Sequence, residues 1–122
     1  MRILLCDDDD CQLRFLEGIF VQDHHVHSTS HGDEALEAYK RFGPWDWIIT
    51  DYLFGEGEVI KNGLYLVKAI RKLDPQQQII VQSSEESLPM PLGVKLLHKP
   101  FLPRTLLRMM REPVRPLLPL LF

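Results

Sequence analysis

Trp45 to Leu53 reads WDWIITDYL. Pro44 precedes it, Ile48 and Ile49 sit among other β-preferring residues, and the run closes on one carboxylate before a looser, glycine-containing segment. This pattern predicts a buried strand of a parallel sheet with Asp51 as its last residue. In open α/β sheets, ligands bind in the crevice beyond the carboxyl ends of the strands, so an acid there is better placed for chemistry than for packing. Standing alone, Asp51 would be read more plainly as a cap for the next loop. Three further strand-like runs, however, also end in polar groups: Asp7 and Asp8 after ILLC, Ser83 after IIVQ, and Lys99 after VKLLH.

A carboxylate pair, then an Asp, then a hydroxyl, then Lys-Pro, each closing a strand in that order, resembles the receiver domain of two-component response regulators. Acid runs, lone serines and KP dipeptides are common, but their ordered placement at four successive strand ends is specific. The resemblance runs from Arg2 to about Arg111. It implies an α/β fold, a doubly wound five-stranded parallel sheet in the flavodoxin-like order 2-1-3-4-5. It also implies a site. Asp51 would accept a phosphoryl group from a phosphohistidine. Mg²⁺ would be held by Asp7, Asp8, Asp51 and the backbone carbonyl of Leu53, and Ser83 and Lys99 would bind the new phosphoryl oxygens. The partners implied are a sensor histidine kinase or phosphotransfer protein and an unidentified downstream protein.

Composition agrees with one small domain. The 122 residues suit a single core, 45% hydrophobic and 25% charged residues are ordinary for a globular chain, and a formal charge of −3 gives no reason to expect nucleic-acid or membrane binding. Cys6 and Cys11 are poorly spaced for a disulfide or a zinc site, so reduced thiols in a cytoplasmic protein are expected. MRILLC is too short for a signal peptide, and no apolar run reaches membrane-spanning length.

Along the chain, residues 2 to 6 form the first strand, followed at once by Asp7 to Asp10. Asp9 or Asp10 suits a helix N-cap, which leaves Asp7 and Asp8 to join Asp51 in an all-oxygen pocket of the kind that holds Mg²⁺. Leu13, Leu16 and Phe20 then repeat at helical spacing, and Val26 to Ser30 is a short second strand. His24, His25, His27 and His31 surround that strand without acids or thiols to complete a metal set, and are read as solvated surface. HGDEALEAYKRF predicts a helix with Ala35, Leu36, Tyr39 and Phe42 inward. The loop GEGEVIKNG, with Glu56 and Glu58, precedes Gly63, which opens a helix burying Leu66, Val67, Ile70 and Leu73. Asp74-Pro75 stops that helix.

Ile79 to Val81 is the core of a fourth strand. Lys99 then lies only 16 positions after Ser83, and the span includes Pro89, Pro91 and Gly93. Two prolines this close remove backbone donors and clash with helical carbonyls, so the fourth helix of the family is predicted missing or reduced to a turn around Ser84 to Leu88. Gly93 to His98 is the fifth strand, and a last helix is expected from Pro103 to Arg111. The receiver is therefore assigned to residues 1–112. Residues 113–122, with prolines at 113, 116 and 119, form a proline-rich hydrophobic tail expected to pack on the vacated flank, either of its own subunit or of a second one in a homodimer.

Two other functions compete with a phosphoacceptor. A phosphatase resembling the haloacid dehalogenases would need Asp7-x-Asp9 followed by Thr or Val, but position 11 is Cys and there is no length for a cap domain. A degenerate receiver acting as a binding module would keep the fold without the phosphorylation. The chemistry-bearing residues argue against that, while Leu96, where the family usually places a switching aromatic three residues before the lysine, argues for a different output. Neither receiver reading makes the chain an enzyme beyond assisting its own phosphotransfer and dephosphorylation.

Overall fold

The computed structural model describes residues 1–53, 60, 62–85 and 87–112. Residues 113–122, Glu56 and Glu58 lie outside them. Five strands, β1 (Arg2–Cys6), β2 (His25–Thr29), β3 (Trp47–Asp51), β4 (Ile79–Ser83) and β5 (Val94–His98), form one parallel sheet in the order β2-β1-β3-β4-β5. The helices are α1 (Asp10–Phe20), α2 (Gly32–Phe42), α3 (Gly63–Leu73) and α4 (Pro103–Met110). Every residue of β3 is buried, as a strand at the centre of a two-sided sheet must be.

Alternation along the strands divides the core into two layers. Leu4, Ile48, Ile79 and Val81 meet Ala35, Ala38, Leu66, Val67 and Ile70 on the face covered by α2 and α3. Ile3, Leu5, Ile49, Ile80 and Leu97 meet Leu13, Leu16, Phe20, Leu106 and Met110 on the face covered by α1 and α4. The parallel connections therefore place helices on both faces and direct all five strand ends to one rim.

Between β4 and β5 the described residues contain no helix. The prolines act as expected, and the helix labelled α4 is the one that follows β5. Arg71 of α3 spans part of the region instead, donating to the carbonyls of Gln77 (3.1 Å) and Leu92 (3.2 Å).

Several expectations are corrected. Phe42 and Leu73 are 48% and 53% exposed. Each is the terminal residue of its helix, past the last turn that the sheet covers. Phe42 packs on the His27 ring instead, at 5.3 Å between centroids. His27 is accordingly half-buried rather than solvated, and His31 caps α2 by accepting from Glu34 N–H. Strand β2 starts one residue earlier than expected, because His25 N–H already bonds Met1 C=O.

Candidate functional site

The acid run divides into two functions locally. Asp9 is the N-cap of α1, its carboxylate accepting from the N–H of Cys11 at 2.9 Å and Gln12 at 3.4 Å. Asp7, which ends β1's path, turns inward and is fully buried, while Asp8 stays exposed. Asp51 closes β3 at 7% exposure. One carboxylate oxygen from each of Asp7, Asp8 and Asp51 lies within 4.8 Å of the others, the single such cluster of potential metal ligands among the described residues.

Two of these acids resist ionisation. Burial, with smaller contributions from the charges of Asp51 and Asp8, outweighs the hydrogen bond from Asp9 N–H and the attraction of Lys99, and pushes Asp7 up to about 6. Asp51 is also raised by burial, even though Lys99 donates to its Oδ1 at 2.9 Å. Three carboxylates at this spacing, two of them poorly hydrated, fit a small hard cation: it takes oxygen ligands and supplies the positive charge that burial withholds.

The hydroxyl and the lysine arrive from the neighbouring strand ends. Ser83 closes β4, 4% exposed, with its Oγ accepting from Glu85 N–H at 3.0 Å. Lys99 follows β5, and its backbone N–H bonds Ser83 C=O at 2.7 Å, which ties the two ends together. Leu53 lies two residues past Asp51 with an exposed side chain. Between them Tyr52 C=O accepts from Gly63 N–H at 2.7 Å. A Cβ on Gly63 would stand 2.4 Å from Asp51 O, so only glycine permits helix α3 to begin this close to the acid.

Two residues of the site escape a reading of the sequence. Gln82, inside the apolar run IIVQ, is fully buried and donates to Asp7 Oδ2 at 3.1 Å; Gln12 of α1 donates to Gln82 Oε1 at 3.0 Å. A polar residue in an otherwise apolar central strand was the available signal, since a buried amide requires partners. Beside Lys99 lies a cavity of about 500 Å³ lined by Gln12, Phe15, Ser84, Pro100 and Phe101. The Phe15 and Phe101 rings there are 5.7 Å apart.

This fold and strand-end site define a signalling domain of the response-regulator type, and the sequence agrees: residues 3–111 match the family model "Response regulator receiver domain". The chain belongs to that family. Among solved structures it is similar to a response regulator receiver protein from Sinorhizobium medicae, with 26% identity over 91% of each chain and a TM-score of 0.79. The receiver domain of the hybrid histidine kinase CckA is 25% identical, covering 91% of this chain and 96% of that one, with a TM-score of 0.74. Chemotaxis protein CheY4 of Vibrio cholerae shares the fold at 24% identity, covering 90% and 95%, with a TM-score of 0.73. No curated protein matches the sequence. Membership makes the chain a module of two-component signalling, a class that interacts with histidine kinases or phosphotransfer proteins and typically binds Mg²⁺ at its acidic pocket. No helix among the described residues is long and apolar enough to cross a membrane.

Proposed function

We propose that the chain is a competent phosphoacceptor in which Asp51 takes a phosphoryl group from the phosphohistidine of a sensor kinase or phosphotransfer protein. The observation that carries this reading is the convergence on one buried carboxylate of two further acids and one lysine. An Asp51 oxygen attacks phosphorus, the P–N bond breaks, and its electron pair returns to the imidazole nitrogen, leaving an acyl phosphate. Asp7, Asp8, Asp51 and the Leu53 carbonyl would hold Mg²⁺, which supplies charge neutralisation for the phosphoryl oxygens. The Lys99 ammonium, already at Asp51, is positioned for one of those oxygens, and the Ser83 hydroxyl for another. The kinase or phosphotransfer domain would dock over the cavity walled by Phe15 and Phe101, next to Lys99.

Residues 1–112 are the receiver and residues 113–122 a separate tail in this reading. The output differs from the family's usual one, because Leu96 offers no aromatic ring to swing and no helix stands between β4 and β5 among the described residues. Incubation with a small phosphodonor and Mg²⁺ followed by intact mass tests the assignment. Wild type should gain one phosphoryl group and Asp51→Asn none. A full gain in Asp51→Asn, or in wild type with chelator present, overturns the reading.

A further inference from the structure

Gln82 is the one amide among the fully buried residues of the sheet, and a leucine or valine there would fill the same slot without the cost of burying a polar group. Its bonds show what the amide does. The two oxygens of Asp7 are both engaged: Oδ1 accepts from Asp9 N–H at 2.9 Å and Oδ2 from Gln82 Nε2 at 3.1 Å. A carboxylate offers about four acceptor positions, so two remain for a cation or its waters while the group itself is held against rotation. Gln82 would serve this purpose only with its NH₂ end toward Asp7. Gln12 sets that direction, because its own Nε2 donates to Gln82 Oε1 at 3.0 Å and so fixes the carbonyl end toward α1.

We propose that Gln82 is a positioning residue for the acid pocket, locking the buried carboxylate of Asp7 in its cation-binding orientation, with Gln12 as the buttress that orients Gln82. The chain Gln12→Gln82→Asp7 runs donor to acceptor throughout, so each bond polarises the next. It starts at the wall of the cavity beside Lys99 and ends at the carboxylate, joining α1, β4 and the end of β1. Groups that orient a metal ligand from behind are commonly worth one to two orders of magnitude in metal affinity. This inference rests on the reading of Asp7, Asp8 and Asp51 as a Mg²⁺ pocket.

The test is Mg²⁺ binding by titration calorimetry on the full chain, with melting in chelator measured separately. Wild type should bind Mg²⁺ and Asp8→Ala should not. Gln82→Met, similar in shape but without a donor, should bind about 10- to 100-fold more weakly. Gln12→Met, on a half-exposed helix position, should lose a smaller factor, about threefold, with a small drop in its chelator melting temperature because the buried Gln82 Oε1 loses its donor. At saturating Mg²⁺ both variants should recover phosphoryl uptake, as expected for residues that position a ligand and touch no reacting atom. Wild-type affinity in Gln82→Met overturns the inference and leaves the pocket standing. If Gln82→Met does not fold, unchanged affinity in Gln12→Met overturns it. Absence of Mg²⁺ binding by the wild type removes the pocket reading and this inference together.

Discussion

Lys99 Nζ lies 2.9 Å from Asp51 Oδ1, although the two residues belong to the ends of strands separated in the sheet by β4. The lysine side chain thus reaches over the end of β4, past Ser83, to meet the acid. In the resting protein this pair offsets part of the burial of Asp51. An acyl phosphate on Asp51 would offer the same ammonium a partner carrying roughly −1.5 to −2 charge, so the interaction strengthens as transfer proceeds.

Replacing Lys99 should therefore damage transfer more than folding. Lys99→Met is expected to slow phosphoryl uptake about a hundredfold, the size of effect seen when one preorganised donor to a developing anion is removed. Its stability should fall by only about 1–2 kcal/mol, because a single charge-assisted hydrogen bond is lost. Stopped-flow uptake and urea unfolding on the same preparation give the two numbers. Uptake within threefold of wild type would remove Lys99 from the site.

The acid pocket also sets the pH dependence of stability. Asp7 titrates near 6 when folded, above its ordinary value of 3.8, so the folded state binds a proton more tightly than the unfolded chain does. Stability from this group is fully present below about pH 4 and is lost as pH rises through 6; Asp51, shifted the same way, adds to it. Metal-free protein should be more stable at pH 5 than at pH 7.5, by about 1.5 kcal/mol from Asp7, roughly half of the full effect of its shift. Asp7→Asn should remove most of that difference. Mg²⁺ should stabilise the protein mainly above pH 6, where Asp7 is ionised. A metal-free melting temperature that falls on acidification from 7.5 to 5 would contradict the burial argument.

Four of the five strands were legible because each pairs a short apolar run with a polar stop: IITD and IIVQS carry both the fold and the site in adjacent residues. The absence of a helix before β5 was legible for a similarly local reason, the prolines at 89 and 91. Gln82 was not, because a glutamine at a strand end reads as the onset of a loop; that it is covered from α1 by Gln12 depends on two residues 70 positions apart. Phe42 and Leu73 were misplaced since helical periodicity identifies a face, whereas burial in the last turn depends on where the sheet ends.

Gly63 should be as restrictive as an acid in the pocket. A methyl group there would sit 2.4 Å from Asp51 O and 3.1 Å from Tyr52 Cα, both backbone atoms of the segment that presents the acceptor. Gly63→Ala is expected to cost about 2–3 kcal/mol and to displace Asp51, lowering phosphoryl uptake along with stability. Gly18, on the exposed side of α1 with nothing within 4 Å of its would-be Cβ, is the natural control. Gly18→Ala should stabilise by about 0.5–1 kcal/mol and leave uptake unchanged. Parallel denaturant curves settle both, and equal effects at the two glycines would refute the close-approach argument.

Arg71 should prove the main brace of the region without a helix. Its guanidinium reaches Gln77 C=O just before β4 and Leu92 C=O just before β5, so one planar fork joins the entrances of two adjacent strands to α3. Hydrogen bonds from a charged donor contribute about 1.5–3 kcal/mol each when the acceptor would otherwise be left short, but the Leu92 bond is exposed and only the Gln77 bond is partly buried, so Arg71→Ala should cost about 2–3 kcal/mol in all. Arg71→Lys should recover less than half of this, because a single ammonium on a flexible stem cannot span both carbonyls as the planar fork does. Amide exchange should locate the damage: protection should fall first at Val94, whose N–H bonds Pro91 C=O beside the lost contact, and later at the β1 amides of the sheet interior. Full stability in Arg71→Lys would show that charge alone, without the fork, holds the connection.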